Sequence, residues 1–299
     1  MISSHLGEVS ALAVAFFWTI TALAFEHASV RVGSLSVNFL RLVMAFVFLS
    51  IFSWLYRGLP LPTDAGPENW GWLSLSGVIG FVLGDLFLFK SYTMIGSRFS
   101  MLVMTLVPPI TAFTGWIILG ETLSLYNLFG MFLTFAGIAL AIFSRRSKDP
   151  ERTRRLSPRG ILYAFGGAVG QAVGLVLSKL GMGNYDAFAA TQIRIITGMV
   201  GFGIIVVLLR RTSNIKKAVR NKKGMRSILI GSFFGPFLGV SLSLFAVQHT
   251  TTGIASTIMA IVPILIIPPA ILFFKQKVTL PEIIGAFLSV SGVALFFIE

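Results

Sequence analysis

The sequence has no cysteine, only three histidines and only eleven acidic residues. Without thiols there is no disulfide, no thiolate metal site and no cysteine nucleophile. His5, His27 and His249 are scattered, with none of the close spacing that metal ligation needs, so neither a metal nor another cofactor is expected. The chain also lacks the Gly-Lys-Ser/Thr loop that cradles phosphate, which removes ATP as a direct energy source. No pattern of nucleophile and base points to an enzyme. Charge itself is scarce: 12% of residues are Asp, Glu, Lys or Arg, against about 25% in an ordinary soluble domain.

What fills the chain instead is apolar. Hydrophobic residues make up 55% and the mean hydropathy is +0.87, so the fold class is an all-α integral membrane protein. The 28 Phe suit lipid-facing surfaces, and the 30 Gly suit helices that approach one another closely. Apolar runs long enough to cross a bilayer cover residues 7–28, 35–56, 69–92, 98–119 and 124–143, then 160–181, 187–209, 227–249, 253–274 and 279–298. Ten spans with short connections imply a compact bundle. Glu8, with no Lys or Arg before it, argues against a cleaved signal peptide. The formal charge of +13 resides in short loops between these runs, where it reads as an orientation signal rather than a nucleic-acid surface.

The chain divides at a basic linker, residues 144–159, into a first five-helix half (7–143) and a second (160–298). The halves are similar. At an offset of 153, Val37-Asn38-Phe39-Leu40-Arg41 falls on Ala190-Thr191-Gln192-Ile193-Arg194, Trp18 on Gln171 and Glu26 on Lys179. At an offset of 155, Gly80 and Gly84 fall on Gly235 and Gly239, Val107-Pro108 on Val262-Pro263, and Gly130 on Gly285. An odd number of spans per half makes the second copy enter the membrane from the opposite side, so the repeat is inverted. A central cavity and alternating access suit that geometry.

Five features together resemble the EamA family of the drug/metabolite transporter superfamily. These are Phe16-Phe17-Trp18, Asn38-Phe39-Leu40-Arg41, Val107-Pro108, Gly120-Glu121-Thr122-Leu123-Ser124 and the Gly130/Gly137 spacing. The resemblance spans nearly the whole chain and implies export of amino acids, other metabolites or drugs, with no substrate specified. The second half departs from it, having Lys275-Gln276-Lys277 where the first has Gly120-Glu121-Thr122. An integral membrane enzyme or lipid-handling protein, and a channel, are the competing classes. The former needs polar residues clustered at one membrane face, which such short loops do not offer, and the latter conducts without saturating.

Orientation follows from the loops. The connections after spans 1, 3, 5, 7 and 9 hold Arg31, Arg98, the basic residues of 144–159 and of 210–226, and Lys275 with Lys277, while the opposite loops hold Arg57 alone. By the positive-inside rule the crowded face is cytoplasmic and both termini lie outside, in a plasma or bacterial inner membrane. Resemblance to ten-span relatives implies cytoplasmic termini instead; the charge bias is the stronger argument.

Mechanism is sought among ionisable residues within the spans, because each is expensive there. Asp85 and Arg41 can form an ion pair that a substrate or a coupling proton opens. Glu26 is a second carboxylate able to carry a proton, and Arg194 repeats Arg41. Asp85 falls on Val240, so the site is asymmetric. Trp18 and Gln171, matched across the pseudo-axis, are candidates to touch a small-molecule substrate, and Pro108 and Pro263 are candidate gating kinks. Each has a structural alternative: snorkelling or pairing for the arginines, a counter-ion for Asp85, an interfacial place for Glu26, helix packing for Trp18 and Gln171, bundle shaping for the prolines. Lys90 and Lys179, at span ends, are expected to reach the headgroups. A monomer satisfies the pattern.

Overall fold

The computed structural model describes residues 5–146, 157–265 and 280–295. Outside them lie residues 147–156 of the linker, Pro268, Pro269, Lys275, Gln276 and Lys277. Helices α1 (Leu6–Val32) and α2 (Ser34–Arg57) are separated by Gly33 alone, whose φ of +83° is open to glycine at little cost. Next come α3 (Pro67–Gly77), a π-helical segment Val78–Gly84, α4 (Asp85–Val103), a 3-10 turn Met104–Leu106, α5 (Val107–Leu119) and α6 (Leu125–Arg146). After the linker follow α7 (Pro158–Met182), α8 (Ala187–Leu208) and two short helices, α9 (Thr212–Arg220) and α10 (Lys222–Ser232). A second π-helical segment, Phe233–Gly239, leads to α11 (Val240–His249), α12 (Thr252–Met259), α13 (Val262–Leu265) and α14 (Leu280–Leu295).

All regular structure among the described residues is helical. Among the described residues six helices are long and apolar enough to cross a membrane: Leu6–Val32, Ser34–Arg57, Pro67–Ile95, Pro158–Met182, Ala187–Leu208 and Lys222–His249. Shorter apolar helices cover Met104–Leu119, Leu125–Leu140 and Ile283–Leu295. Within α4 the chain doubles back: Ser91 Oγ meets Ser100 Oγ at 2.6 Å, whereas nine residues of straight helix would separate them by about 13 Å. The parts of the chain before and after this reversal therefore lie side by side. Large apolar side chains point outward, with Leu55, Leu162 and Phe287 each at least 70% exposed, which only a lipid environment tolerates on such a scale.

The two halves interleave. α3 and its π segment pack on α7, the first helix of the other half, and the second π segment packs on α1. A Cβ on Gly170 would come within 2.6 Å of Gly84 Cα, and one on Gly174 within 2.9 Å of Gly80 Cα. In the second half, a Cβ on Gly235 would meet Thr21 Cγ2 at 2.7 Å and one on Gly239 Trp18 Nε1 at 2.8 Å. In lipid no hydrophobic driving force holds helices together, so this close backbone packing carries much of the association. α6 and α14 pair with each other to one side, Ser289 Oγ donating to the Thr134 carbonyl at 3.2 Å.

Prolines behave unequally. Pro108 is the second residue of α5, where its missing N–H leaves no bond unmade, so the change of direction lies in the 3-10 turn before it. Pro263 lies in α13, just after the chain leaves helix at residues 260–261. Pro236 stands inside the second π segment, where the ladder is already altered and a removed donor is more easily accommodated.

Candidate functional site

A cavity lies where the two halves meet, with about 130 Å³ available to the centres of water-sized molecules. Its wall takes Trp18 from α1, Arg41 from α2, Phe81 and Asp85 from the first π segment and α4, Gln171 from α7 and Arg194 from α8. Pro236, Val240, Ser243, Ser256 and Met259 complete it from the second half. The π segment is what brings Asp85 there: a π turn holds more residues than an α turn and so rotates all that follows it. Val240 takes the corresponding place after the second π segment.

Asp85, 3% exposed, is ion-paired with Arg41, whose Nη2 donates to Oδ2, while Gln171 Nε2 donates to Oδ1 at 2.6 Å. Arg41 Nε donates to Asn38 Oδ1 at 3.0 Å, and Asn38 Nδ2 reaches the Asp85 carbonyl at 3.3 Å. The guanidinium also lies against the rings of Phe89 and Phe25, 4.7 and 5.6 Å from their centroids. Arg194, likewise 3% exposed, rests on Phe81 at 4.8 Å. Its Nε is buried without a hydrogen-bond partner.

Two of the candidates, Arg41 and Gln171, thus meet on the Asp85 carboxylate, and Arg194 and Trp18 stand on the same cavity wall. Glu26 is half-buried and is not among the residues lining the cavity. Lys179 departs from the expected headgroup position: its Nζ donates to Glu121 Oε1 at 2.7 Å and to the Thr250 carbonyl at 2.8 Å. The other oxygen of Glu121 accepts from Thr252 N at 2.9 Å and Thr252 Oγ1 at 2.5 Å, and Thr250 Oγ1 donates to Glu8 Oε1 at 2.9 Å. A carboxylate and four polar partners drawn from both halves satisfy one another, which an isolated lysine at a span end has no means to do. Sequence offered a signal here: Glu121 and Lys179 carry opposite charge at span ends on one face.

On that same face Arg57 Nη2 binds Asp64 Oδ2 at 2.5 Å, and the Tyr185 hydroxyl donates to Asp64 Oδ1 at 2.8 Å. Burial and the hydrogen bond to Asp64 push Tyr185 up to about 12. Burial opposes ionisation of Asp64, but the Tyr185 and Arg57 contacts outweigh it and hold the carboxyl below its ordinary value. The cavity lies on the other side of these contacts. Its lining runs from mid-span toward the helix ends that carry the basic loops, for example Phe25 on α1, Tyr92 on α4 and Met101 beyond the reversal.

Fold and site define a multi-pass helical membrane protein made of two interleaved copies around a charged internal cavity. The chain belongs to the EamA-like transporter family, whose family model matches residues 5–143 and again 158–298. A solved structure titled "Crystal structure of protein" superposes with a TM-score of 0.71 at 17% identity, covering 99% of this chain and 96% of that one, a likeness of fold. No curated protein matches. The protein is accordingly a membrane transporter of the drug/metabolite type.

Proposed function

We propose that the protein is a ten-span secondary carrier that exports small metabolites such as amino acids, or drugs, by alternating access through the cavity between its two inverted halves. The observation that supports this reading is a buried ion pair, Arg41 with Asp85, set in a cavity whose walls come from both halves. Buried charge in a membrane protein is retained where it does work. Substrate or a proton that reaches Asp85 competes with Arg41 and Gln171, and so alters the contacts by which α2, α4 and α7 are held together. Trp18 and Gln171 supply the substrate-facing wall, and Arg41, Asp85 and Arg194 its charge. In this reading both termini are outside the cell and residues 144–159 and 210–226 face the cytoplasm of a plasma or inner membrane.

Substrate-induced thermal stabilisation across a metabolite panel, followed by counterflow in proteoliposomes, tests the reading. A carrier saturates and exchanges labelled for unlabelled substrate. Non-saturating flux without counterflow would identify a channel and overturn it.

A further inference from the structure

The charged groups of the cavity wall do not balance. Among the described lining residues Arg41 and Arg194 share a single carboxylate, Asp85, and each of its oxygens already accepts a bond, Oδ2 from Arg41 and Oδ1 from Gln171. Arg41 is spent in turn on Asp85 and Asn38. Among the described residues Arg194 has no carboxylate within ion-pair distance and feels Asp85 only through its field, and its Nε is buried without a hydrogen-bond partner although the residue is only 3% exposed. What surrounds it is the Phe81 ring beneath and the bare backbone of Gly80, where a Cβ would lie 3.2 Å from Nη2. A guanidinium offers five donors, and a buried one left unpaired is strongly unfavourable.

We propose that Arg194 is a binding residue that receives the carboxylate of an amphiphilic monocarboxylate substrate, whose apolar body lies along Trp18, Phe25, Leu175 and Met259. Three observations select that chemistry. The surplus of one positive charge matches one negative charge, whereas a phosphate monoester brings nearly two at neutral pH. The planar fork of the guanidinium matches a carboxylate in a two-point contact. Most of the remaining wall is apolar or aromatic, which suits a hydrocarbon or ring rather than a sugar or polyol. Two guanidiniums against one carboxylate give a field that disfavours a ligand of net positive charge.

The inference refines the substrate of the proposed carrier and rests on that reading, but binding to purified protein tests it separately from transport. The probes are 4-phenylbutyrate, its amide, 4-phenylbutylamine and phenyl phosphate, assayed by thermal shift and calorimetry on the full chain in detergent. The carboxylate is expected to bind about tenfold or more tightly than the amide, with the amine without effect and the phosphate weaker than the carboxylate. Arg194→Met is expected to fold, to match or exceed the wild-type melting temperature because it deletes an unpaired buried charge, and to abolish the preference for carboxylate over amide. Arg194→Lys keeps the preference in weakened form, and serves should the Met variant not fold. Equal binding of acid and amide, preference for amine or phosphate, or a carboxylate preference that survives in Arg194→Met would each overturn the assignment. Carboxylate binding without counterflow would instead sink the carrier reading and leave the assignment standing.

Discussion

Asp85 accepts from both sides, Arg41 on one oxygen and Gln171 on the other, and this sets what its removal does. Asp85→Asn leaves Arg41 as a second buried cation beside Arg194, and losing one partner of a buried pair costs about 3–5 kcal/mol. The variant is therefore expected to melt well below wild type in detergent, and Asp85→Asn/Arg41→Met, which removes both charges, to recover most of the loss. A double variant no more stable than the single one would show that the pair matters little to the fold. Tyr185 gives a pH signature at the same scale. Its hydroxyl holds a proton more tightly in the folded chain than its ordinary value of 10.0 allows, so the contact with Asp64 stabilises fully below that pH and is lost as pH rises toward about 12. The melting-temperature difference between wild type and Tyr185→Phe should thus shrink over that alkaline window; a constant difference would refute the assignment. At this scale sequence reached the pairing of Asp85 with Arg41, because intramembrane charges are few and must find one another. It missed Asn38 as the brace of Arg41, although residues three apart on a helix share a face. It also placed Lys179 at the headgroups, since hydropathy records how deep a residue lies but not which other span end it meets.

Between elements, the glycines decide how close the halves come. Gly170 and Gly174 lie on backbone of the first π segment rather than on side chains, so an added methyl cannot be relieved by a rotamer change. Gly170→Ala is expected to destabilise by about 1–3 kcal/mol, as overpacking does. Gly203→Ala, whose methyl would meet only Phe39 Cε2 at 3.6 Å, is expected to be neutral or mildly stabilising, since Ala is the better helix former. Thermal unfolding of the two variants side by side is the measurement, and equal melting temperatures would undo the close-packing argument. The correspondence of Gly80/Gly84 with Gly235/Gly239 was legible as an offset in the sequence, as was the division into halves. The π-helical character of both segments was not, because an extra residue in a turn leaves an all-apolar run equally apolar. Nor could the offset say that each π segment packs on the first helix of the opposite half, which is a fact of docking between elements distant in sequence.

For the molecule as a whole, the two faces differ in how they are held. The face with Glu121, Lys179, Thr250 and Glu8 is tied across both halves, whereas the cavity reaches from mid-span toward the face of the basic loops. In the proposed carrier, alternating access would require the tied face to open in turn, so its bonds would bear on the population of the two states. Lys179→Met deletes both Nζ bonds, and Glu121→Gln weakens one of the same bonds while keeping an acceptor for Thr252. A charge-assisted hydrogen bond is worth about 1.5–3 kcal/mol, enough to shift such an equilibrium by about tenfold or more. The absence of native cysteine makes the shift directly measurable. Ser256→Cys, on the cavity wall and 3% exposed, is expected to react slowly with a membrane-impermeant maleimide applied from the tied face. Adding Lys179→Met should raise that rate about tenfold, and adding Glu121→Gln to the pair should raise it little further, since the two substitutions act on one contact. Unchanged labelling in the Lys179→Met background would mean that these bonds shape the loops without holding the face shut.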